Sequence, residues 1–148
     1  MSIKVYLSGE IHSDWRDRIA QGVLDKSLSV ELSSPVTDHA SSDDCGDVIL
    51  GAEAESFWKD HKAAKINAIR IRKHIEDADI VVVRFGEKYK QWNAAFDAGY
   101  CAASGTPYIT LHDENIIHPL KEVDAAAMAW AISPEQVVEI LKYTITKK

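Results

Sequence analysis

The segment FDAGYCAASGTPYITLH, residues 96–112, holds a carboxylate, Asp97, in a run of apolar and small residues. The spacing predicts a helix that starts near Asn93, whose side chain could cap it, so that Asp97 lies about one turn in. The unpaired amides of a helix start favour a charged carboxylate, which suits an ionised nucleophile or an orienting group and not a proton donor. Acidic residues are also common in first turns for dipole reasons alone, so both interpretations stay open.

Further candidates follow the other predicted strands. Glu10 and His12 come after the first strand, where a titratable pair could supply a proton, although both could be solvated loop residues. Arg84 ends the third strand, where its guanidinium could hold a phosphate or a base, or form a surface ion pair. Trp92, just before the helix of Asp97, could face a ligand and stack on it.

The elements that must position these residues alternate between strand and helix. Strands are predicted at 3–8, 29–36, 79–85, 107–112 and 128–132, and helices at 14–26, 54–78, 93–104 and 133–146. Ser133-Pro134-Glu135-Gln136 carries the start signal of the last helix. The alternation, with continuous apolar strands such as IVVV, is typical of an α/β flavodoxin-like or Rossmann-like three-layer sandwich. Ligands of such folds bind beyond the carboxyl ends of the strands.

The polar segment TDHASSDDCGDVILG, residues 37–51, is predicted to be a mobile loop over that edge. Its acidic residues lack the Asp-x-Asp-x-Asp-Gly spacing of a calcium site, which favours a solvated acidic surface, and we expect no metal. The first strand is followed by SGEIHSD and not by G-x-G-x-x-G, which argues against a dinucleotide-dependent oxidoreductase. We expect no cofactor.

Composition limits the compartment and the partners. The 148 residues, 46% of them hydrophobic, suit a single domain over residues 1–148. Lys plus Arg is 17 against 23 for Asp plus Glu, a net charge of −6, which argues against duplex nucleic acid as a partner. Cys45 and Cys101 have neither disulfide nor zinc spacing, and the chain has no secretion signal or 18-residue apolar span. We therefore expect a cytoplasmic protein that does not enter a membrane.

Four stretches, in chain order, resemble the nucleoside 2-deoxyribosyltransferase family. They are VYLSGEIHSD (5–14), DADIVVVRF (77–85), FDAGYCAASGTPYITL (96–111) and MAWAIS (128–133). The resemblance covers nearly the whole chain and is closest to the small bacterial group named YtoQ. Together with the strand–helix alternation, it implies a five-stranded, mostly parallel sheet of order 2-1-3-4-5. It also implies a homo-oligomer, since the family builds its sites at subunit contacts.

The resemblance implies glycosidic-bond chemistry on a nucleoside or a nucleotide. A carboxylate at the position of Asp97 attacks the anomeric carbon of a 2-deoxyribosyl group, the base departs, and a second base or water takes the sugar. Tyr6 would match the tyrosine that hydrogen-bonds near the nucleophile, and Met128 the methionine beside the sugar. Gly9 would leave room above the nucleophile.

Three departures from the family pattern bear on this activity. The family's nucleophile is normally Glu, and the shorter Asp97 withdraws the attacking oxygen by about 1 Å, which costs roughly 10²-fold if nothing compensates. Gln91 stands where the family has an acidic residue; an amide can hold a base edge but cannot deliver a proton. The helix before the third strand offers Asn67, Arg70 and Arg72 in place of an Asp. A nucleotide-binding module without catalysis is therefore the alternative function.

Overall fold

The computed structural model describes residues 1–146 of the chain. Its strands are β1 (Ile3–Gly9), β2 (Val30–Ser33), β3 (Ile80–Phe85), β4 (Tyr108–His112) and β5 (Ala129–Ala131). Its helices are α1 (Trp15–Asp25), α2 (His39–Leu50), α3 (Ser56–Asp77), α4 (Trp92–Ser104), α5 (Lys121–Ala126) and α6 (Pro134–Ile145), with a 3₁₀ turn at His118–Leu120. All five predicted strands and all four predicted helices are present, and α2 and α5 are additional.

The five strands form one sheet in the order β2-β1-β3-β4-β5, which confirms the predicted order and the α/β class. Every pairing between neighbouring strands is parallel, so the sheet is fully and not mostly parallel. Helices cover both of its faces, which explains why β3 can be apolar along almost its whole length. Because the strands are parallel, their carboxyl ends meet at one edge.

Alternation along the strands divides the core into two halves. Leu7 of β1 and Val82 of β3 belong to the half that packs against α1 and α6. Tyr6 and Val83 belong to the half that packs against α3 and α4. Successive side chains of a strand point to opposite faces, so Ser8, two residues after Tyr6, also faces α3 and α4.

The segment predicted to be a mobile loop is mostly helix. α2 begins after Asp38, whose side chain caps it by accepting a hydrogen bond from the Ser41 amide at 3.0 Å. It packs closely on α3, since a Cβ added at Gly46 would lie 2.6 Å from the Cβ of Lys62. The prediction was wrong because α2 buries only Gly46, so its sequence has no apolar periodicity to reveal a helix.

The starts of the last two long helices compare differently with the predictions. Ser133 caps α6 by accepting a hydrogen bond from the Gln136 amide at 3.2 Å, as its sequence signal predicts. α4 begins at Trp92, after Gln91, and no side chain caps it. The prediction that Asn93 caps this helix was therefore wrong.

Candidate active site

A cleft opens at the carboxyl edge of the sheet and consists of two adjoining lobes. The helical lobe, of about 600 Å³, lies among α2, α3 and α4. The strand-end lobe, of about 460 Å³, lies over residues 9–12 and 89–91, which follow β1 and precede α4. Asp97, Asp43 and Asn93 line both lobes. The one carboxylate that α4 contributes therefore stands where the two lobes meet.

Asp97 is largely withdrawn from solvent and held by a hydrogen bond. Ser8 Oγ donates to Asp97 Oδ2 at 2.5 Å, which links β1 to α4. Because α4 begins at Trp92, Asp97 lies in its second turn, beyond the unpaired amides of the helix start. Burial raises the pKa of the Asp97 carboxyl, and the Ser8 hydrogen bond lowers it by a smaller amount. The prediction that a helix start favours its charged form was therefore wrong, since the surroundings disfavour that form overall.

Tyr6 is fully buried, on the same face of β1 as Ser8. Its ring stacks on His74 of α3, with the ring centroids 5.4 Å apart. Its hydroxyl has no hydrogen-bond partner among residues 1–146, and burial together with the charge of Asp97 raises its pKa. Tyr6 thus lies near Asp97, but Ser8 and not Tyr6 donates a hydrogen bond to the carboxylate. The hydroxyl of Tyr6 is a neutral donor.

Glu10 lines the strand-end lobe, but its carboxylate serves its own loop. Oε1 accepts a short hydrogen bond from the His12 amide, and Oε2 accepts one from Ser13 Oγ at 2.6 Å. Gly86 leaves the space for this side chain, since a Cβ there would lie 2.7 Å from Glu10 Cγ. Both carboxylate oxygens thus accept hydrogen bonds from the loop after β1. Glu10 therefore stabilises this loop and does not present a free acid to the lobe.

Three other predicted residues line the strand-end lobe: Gly9, His12 and Gln91. Gly9 has φ +104°, and a Cβ there would overlap the carbonyl oxygen of Arg84 and lie 2.9 Å from its amide nitrogen. The close approach of β1 to β3 therefore requires glycine, whatever room it also leaves for a ligand. His12 packs against Tyr89, with ring centroids 4.8 Å apart, and Gln91 donates to the Lys88 carbonyl at 2.8 Å.

The remaining three predicted residues do not line the cleft. Arg84 contacts Asp113 at 3.4 Å, because the alternation of β3 directs its side chain away from the face of Asp97. Trp92 is 71% exposed and lies under the Lys90 ammonium, 4.9 Å from its ring centroid. Met128, just before the edge strand β5, is 76% exposed. A single subunit therefore does not bring these side chains to Asp97.

The sequence matches a known family over nearly its whole length. A family model described as nucleoside 2-deoxyribosyltransferase YtoQ matches residues 6–145. The chain belongs to this family. A relative, the uncharacterized protein YtoQ of Bacillus subtilis (strain 168), is 40% identical over 143 residues, which cover 97% of each chain. The resemblance to the YtoQ group is thereby confirmed.

Solved structures share the fold of this YtoQ-family chain. A conserved protein from Enterococcus faecalis V583 superposes with a TM-score of 0.69 at 15% identity, covering 98% of this chain and 100% of that one. A 2-deoxyribosyltransferase from Bacillus psychrosaccharolyticus superposes with a TM-score of 0.58 at 18% identity, covering 91% and 90%. At these identities the likeness establishes the fold, and the roles of residues must be argued from the site itself.

Arg16 is a structural residue of the site that the sequence did not reveal. Its guanidinium donates to the carbonyl oxygens of Leu7 at 2.9 Å, Gly9 at 3.2 Å and Glu10 at 2.6 Å. Burial lowers the pKa of Arg16 to about 10, with the nearby Tyr6 and Glu10 acting in the opposite direction. A cation from α1 thus fixes the backbone at the end of β1, where the strand-end lobe begins.

The unexpected helix α2 brings an imidazole and a carboxylate into the cleft of this YtoQ-family chain. His39 lines the strand-end lobe, and its Nδ1 lies 3.0 Å from Asp43 Oδ2. Asn67 of α3 donates to the Ser42 carbonyl at 3.1 Å, which fastens the first turns of α2 to α3. The polar residues after β2 were the available sequence signal. Because they were interpreted as a loop, the pairing of His39 with Asp43 was not predicted.

The part of the chain that the structure describes, residues 1–146, holds neither a metal-binding cluster nor a membrane-spanning helix. Within residues 1–146, no three or more His, Cys, Asp and Glu side chains are grouped so that they could hold a metal ion. Over the same part of the chain, no helix combines the length and the apolar character needed to cross a membrane.

Proposed function

We propose that this YtoQ-family protein cleaves or exchanges the N-glycosidic bond of deoxynucleosides or their 5'-phosphates, with Asp97 as the nucleophile. The observation that carries the proposal is the position of Asp97 at the junction of two lobes. A nucleoside joins a sugar to a base through its anomeric carbon. A carboxylate between two lobes can meet that carbon while sugar and base occupy separate spaces.

The proposed glycosidic-bond cleavage uses the Asp97 carboxylate, of which one oxygen accepts a hydrogen bond and the other is free to attack. Asp97 Oδ2 accepts the Ser8 hydrogen bond, which leaves Oδ1 to attack C1'. The C1'–O bond forms as the C1'–N bond breaks, and the electron pair of the broken bond leaves with the base. A second base or a water molecule then displaces Asp97 from C1', which completes exchange or hydrolysis.

The leaving base needs a proton, and the geometry supports His39 as its source. Glu10 has both oxygens engaged in its loop, and Gln91 carries no acidic proton. His39 is oriented by Asp43 through Nδ1, the arrangement that prepares the opposite ring nitrogen, Nε2, for proton transfer. The protonated ring gives its Nε2 proton to the departing base, and the neutral ring takes a proton from the incoming base or water.

The other site roles follow from position. We propose that Gly9, His12 and Gln91 bind the base in the strand-end lobe, which they line, and that Tyr6, which is fully buried and near Asp97, packs behind the nucleophile without contacting the substrate. Met128, together with Arg84 and Trp92, lies outside the cleft of its own chain. We do not assign these three a contact with substrate within one subunit.

We also infer that the protein forms a homo-oligomer. Large apolar side chains are exposed on two regions of the surface: Phe57 and Trp58 on α3, and Met128 and Trp130 at the edge strand. Apolar side chains grouped in this way are typical of surfaces that another molecule covers. A second subunit would cover them and could present Met128 to a neighbouring cleft.

Intact-protein mass spectrometry after incubation with a 2-fluoro-2-deoxy nucleoside tests the assignment of Asp97. The fluorine destabilises the oxocarbenium-like transition state, so the sugar ester accumulates. We expect the mass to increase by one fluorinated sugar, with the modification located on Asp97 by peptide mapping. Chromatography of a deoxynucleoside incubated with a second free base then separates exchange, which yields a new nucleoside, from hydrolysis. Nucleotide binding without adduct or product would establish the alternative, a binding module without catalysis.

The assignment of His39 has a separate test based on the leaving group. His39→Gln should lower kcat on natural nucleosides by about 10²-fold or more, because general acid catalysis contributes about 10²- to 10⁴-fold. It should have little effect on the first-turnover burst of 4-nitrophenolate from a 4-nitrophenyl deoxyriboside, because this leaving group departs without a proton. His118→Gln, a change on the exposed 3₁₀ turn, is the matched control. Equal losses on both substrates would reject His39 as the acid.

A further inference from the structure

We propose that Ser8 is the positioning residue of Asp97: its hydroxyl fixes one carboxylate oxygen so that the other is presented to the anomeric carbon. The proposal rests on the proposed function of Asp97 as nucleophile. Ser8 is fully buried at the end of β1, and its Oγ donates to Asp97 Oδ2 at 2.5 Å. No other hydrogen bond to the Asp97 carboxylate is present among residues 1–146, so its orientation depends on one donor.

A single donor is sufficient because the aspartate side chain is short. Asp has two side-chain torsions, and the terminal one rotates broadly in the absence of a partner. A hydrogen bond to Oδ2 restrains that rotation, and with it the position of Oδ1. Since a misplacement of about 1 Å costs roughly 10²-fold in rate, the restraint matters more for Asp97 than for a longer side chain that can adjust.

The same hydrogen bond also opposes the effect of burial on the ionisation of the Asp97 carboxyl. Burial raises the pKa of Asp97, and the hydrogen bond from Ser8 is the opposing influence. A nucleophilic carboxylate must be deprotonated, so loss of the Ser8 hydroxyl should both loosen Asp97 and leave burial unopposed. The hydroxyl of Tyr6 has no partner within the described residues and does not perform this task.

The alternative is that Ser8 is merely a small buried residue of the sheet, and Thr110 provides a control for it. Thr110 is fully buried on β4, and its hydroxyl has no hydrogen-bond partner among residues 1–146. Thr110→Val therefore removes a buried strand hydroxyl without touching Asp97. Ser8→Ala removes the proposed donor, and Ser8→Cys retains the side chain's shape with a weaker donor.

The experiment compares these three variants with the parent. We expect Ser8→Ala to lower kcat by about 10- to 100-fold with KM changed less than about threefold, because an interaction that positions the nucleophile acts on the chemical step. The acid limb of its pH–rate profile should move to higher pH. Ser8→Cys should be intermediate, and Thr110→Val should match the parent. A Ser8→Ala variant with parental kcat and an unmoved acid limb would overturn the proposal.

A second readout separates failure of this proposal from failure of the proposed function. Titration of the Asp97 carboxyl carbon by NMR needs no substrate, and Ser8→Ala should raise its midpoint above that of the parent. If the parent forms no sugar adduct but the midpoint rises, the nucleophile assignment fails while the Ser8–Asp97 coupling stands. If the adduct forms and the midpoint is unchanged, Ser8 has no such role. Should Ser8→Ala fail to fold, Ser8→Cys gives the same comparison.

Discussion

Replacing Asp97 with asparagine is expected to move activity and stability in opposite directions. Asparagine has nearly the same shape, and its amide oxygen can accept the hydrogen bond that Ser8 now donates to Asp97 Oδ2 at 2.5 Å. It cannot form the sugar ester, so kcat should fall by about 10⁴-fold or more, the scale seen when a catalytic triad loses one member. Binding of the nucleoside should persist.

The effect of this variant on stability follows from the raised pKa of Asp97. The folded state holds the proton more tightly than the unfolded state, so ionisation destabilises the fold progressively as the pH rises above the ordinary value of 3.8. Asparagine cannot ionise and escapes this cost. Each pKa unit by which the folded state exceeds the unfolded state is equivalent to about 1.4 kcal/mol at neutral pH. The variant should therefore gain stability over the parent as the pH rises.

Two assays check these expectations, and one matched variant controls for them. The assays are sugar-adduct formation by mass spectrometry and urea unfolding between about pH 4 and about pH 8. Asp25→Asn makes the same change on α1, across the sheet, where the side chain is exposed; it should alter stability by less than about 0.5 kcal/mol and leave activity intact. Adduct formation at the parental rate would refute the nucleophile, and a variant less stable than the parent at neutral pH would refute the account of burial.

Three further outcomes are expected. Gly9→Ala should destabilise the protein by about 3 kcal/mol or more, because φ is +104° and the new Cβ meets the Arg84 backbone. Gly99→Ala, with open space around it, should stabilise α4 by about 0.5–1 kcal/mol. Urea unfolding measures both changes. Arg16→Met should cost about 3 kcal/mol or more by leaving buried carbonyls unpaired, whereas Arg18→Met removes an exposed ion pair and should cost less than about 1 kcal/mol. Light scattering at micromolar concentration should give at least a dimer, and a monomer would contradict the inferred oligomer.

The sheet could be predicted because its signals are local. β3 shows in its sequence that both faces are covered, since IVVV offers no polar side for solvent. The start of α6 could be predicted for the same reason, because Ser133 and Gln136 make their capping contact within four residues of chain. Features of this kind depend on neighbours in sequence, so they can be predicted from one amino-acid sequence.

The site could be predicted only in part because its contacts are distant in sequence. Asp97 was identified from its segment, but its partner Ser8 lies 89 residues away, and neither the pairing nor the burial is a local property. A helix start one residue earlier than expected also moved Asp97 out of the region where the helix amides favour charge. α2 was not predicted for a related reason. Gly46 lets α2 pack closely against Lys62 of α3, and this contact joins residues that are distant in sequence.

The assembly of the cleft depends on which side of β1 each residue faces. Ser8 faces α4 and holds Asp97, while the next residue, Gly9, allows the strand to pass close to Arg84 of β3. Arg16 from α1 then fixes the carbonyls at the end of the same strand. A register shift of one residue in β1 would turn Ser8 away from α4 and put a side chain where only glycine fits. The strand's register therefore sets both the fold of this edge and the position of Asp97.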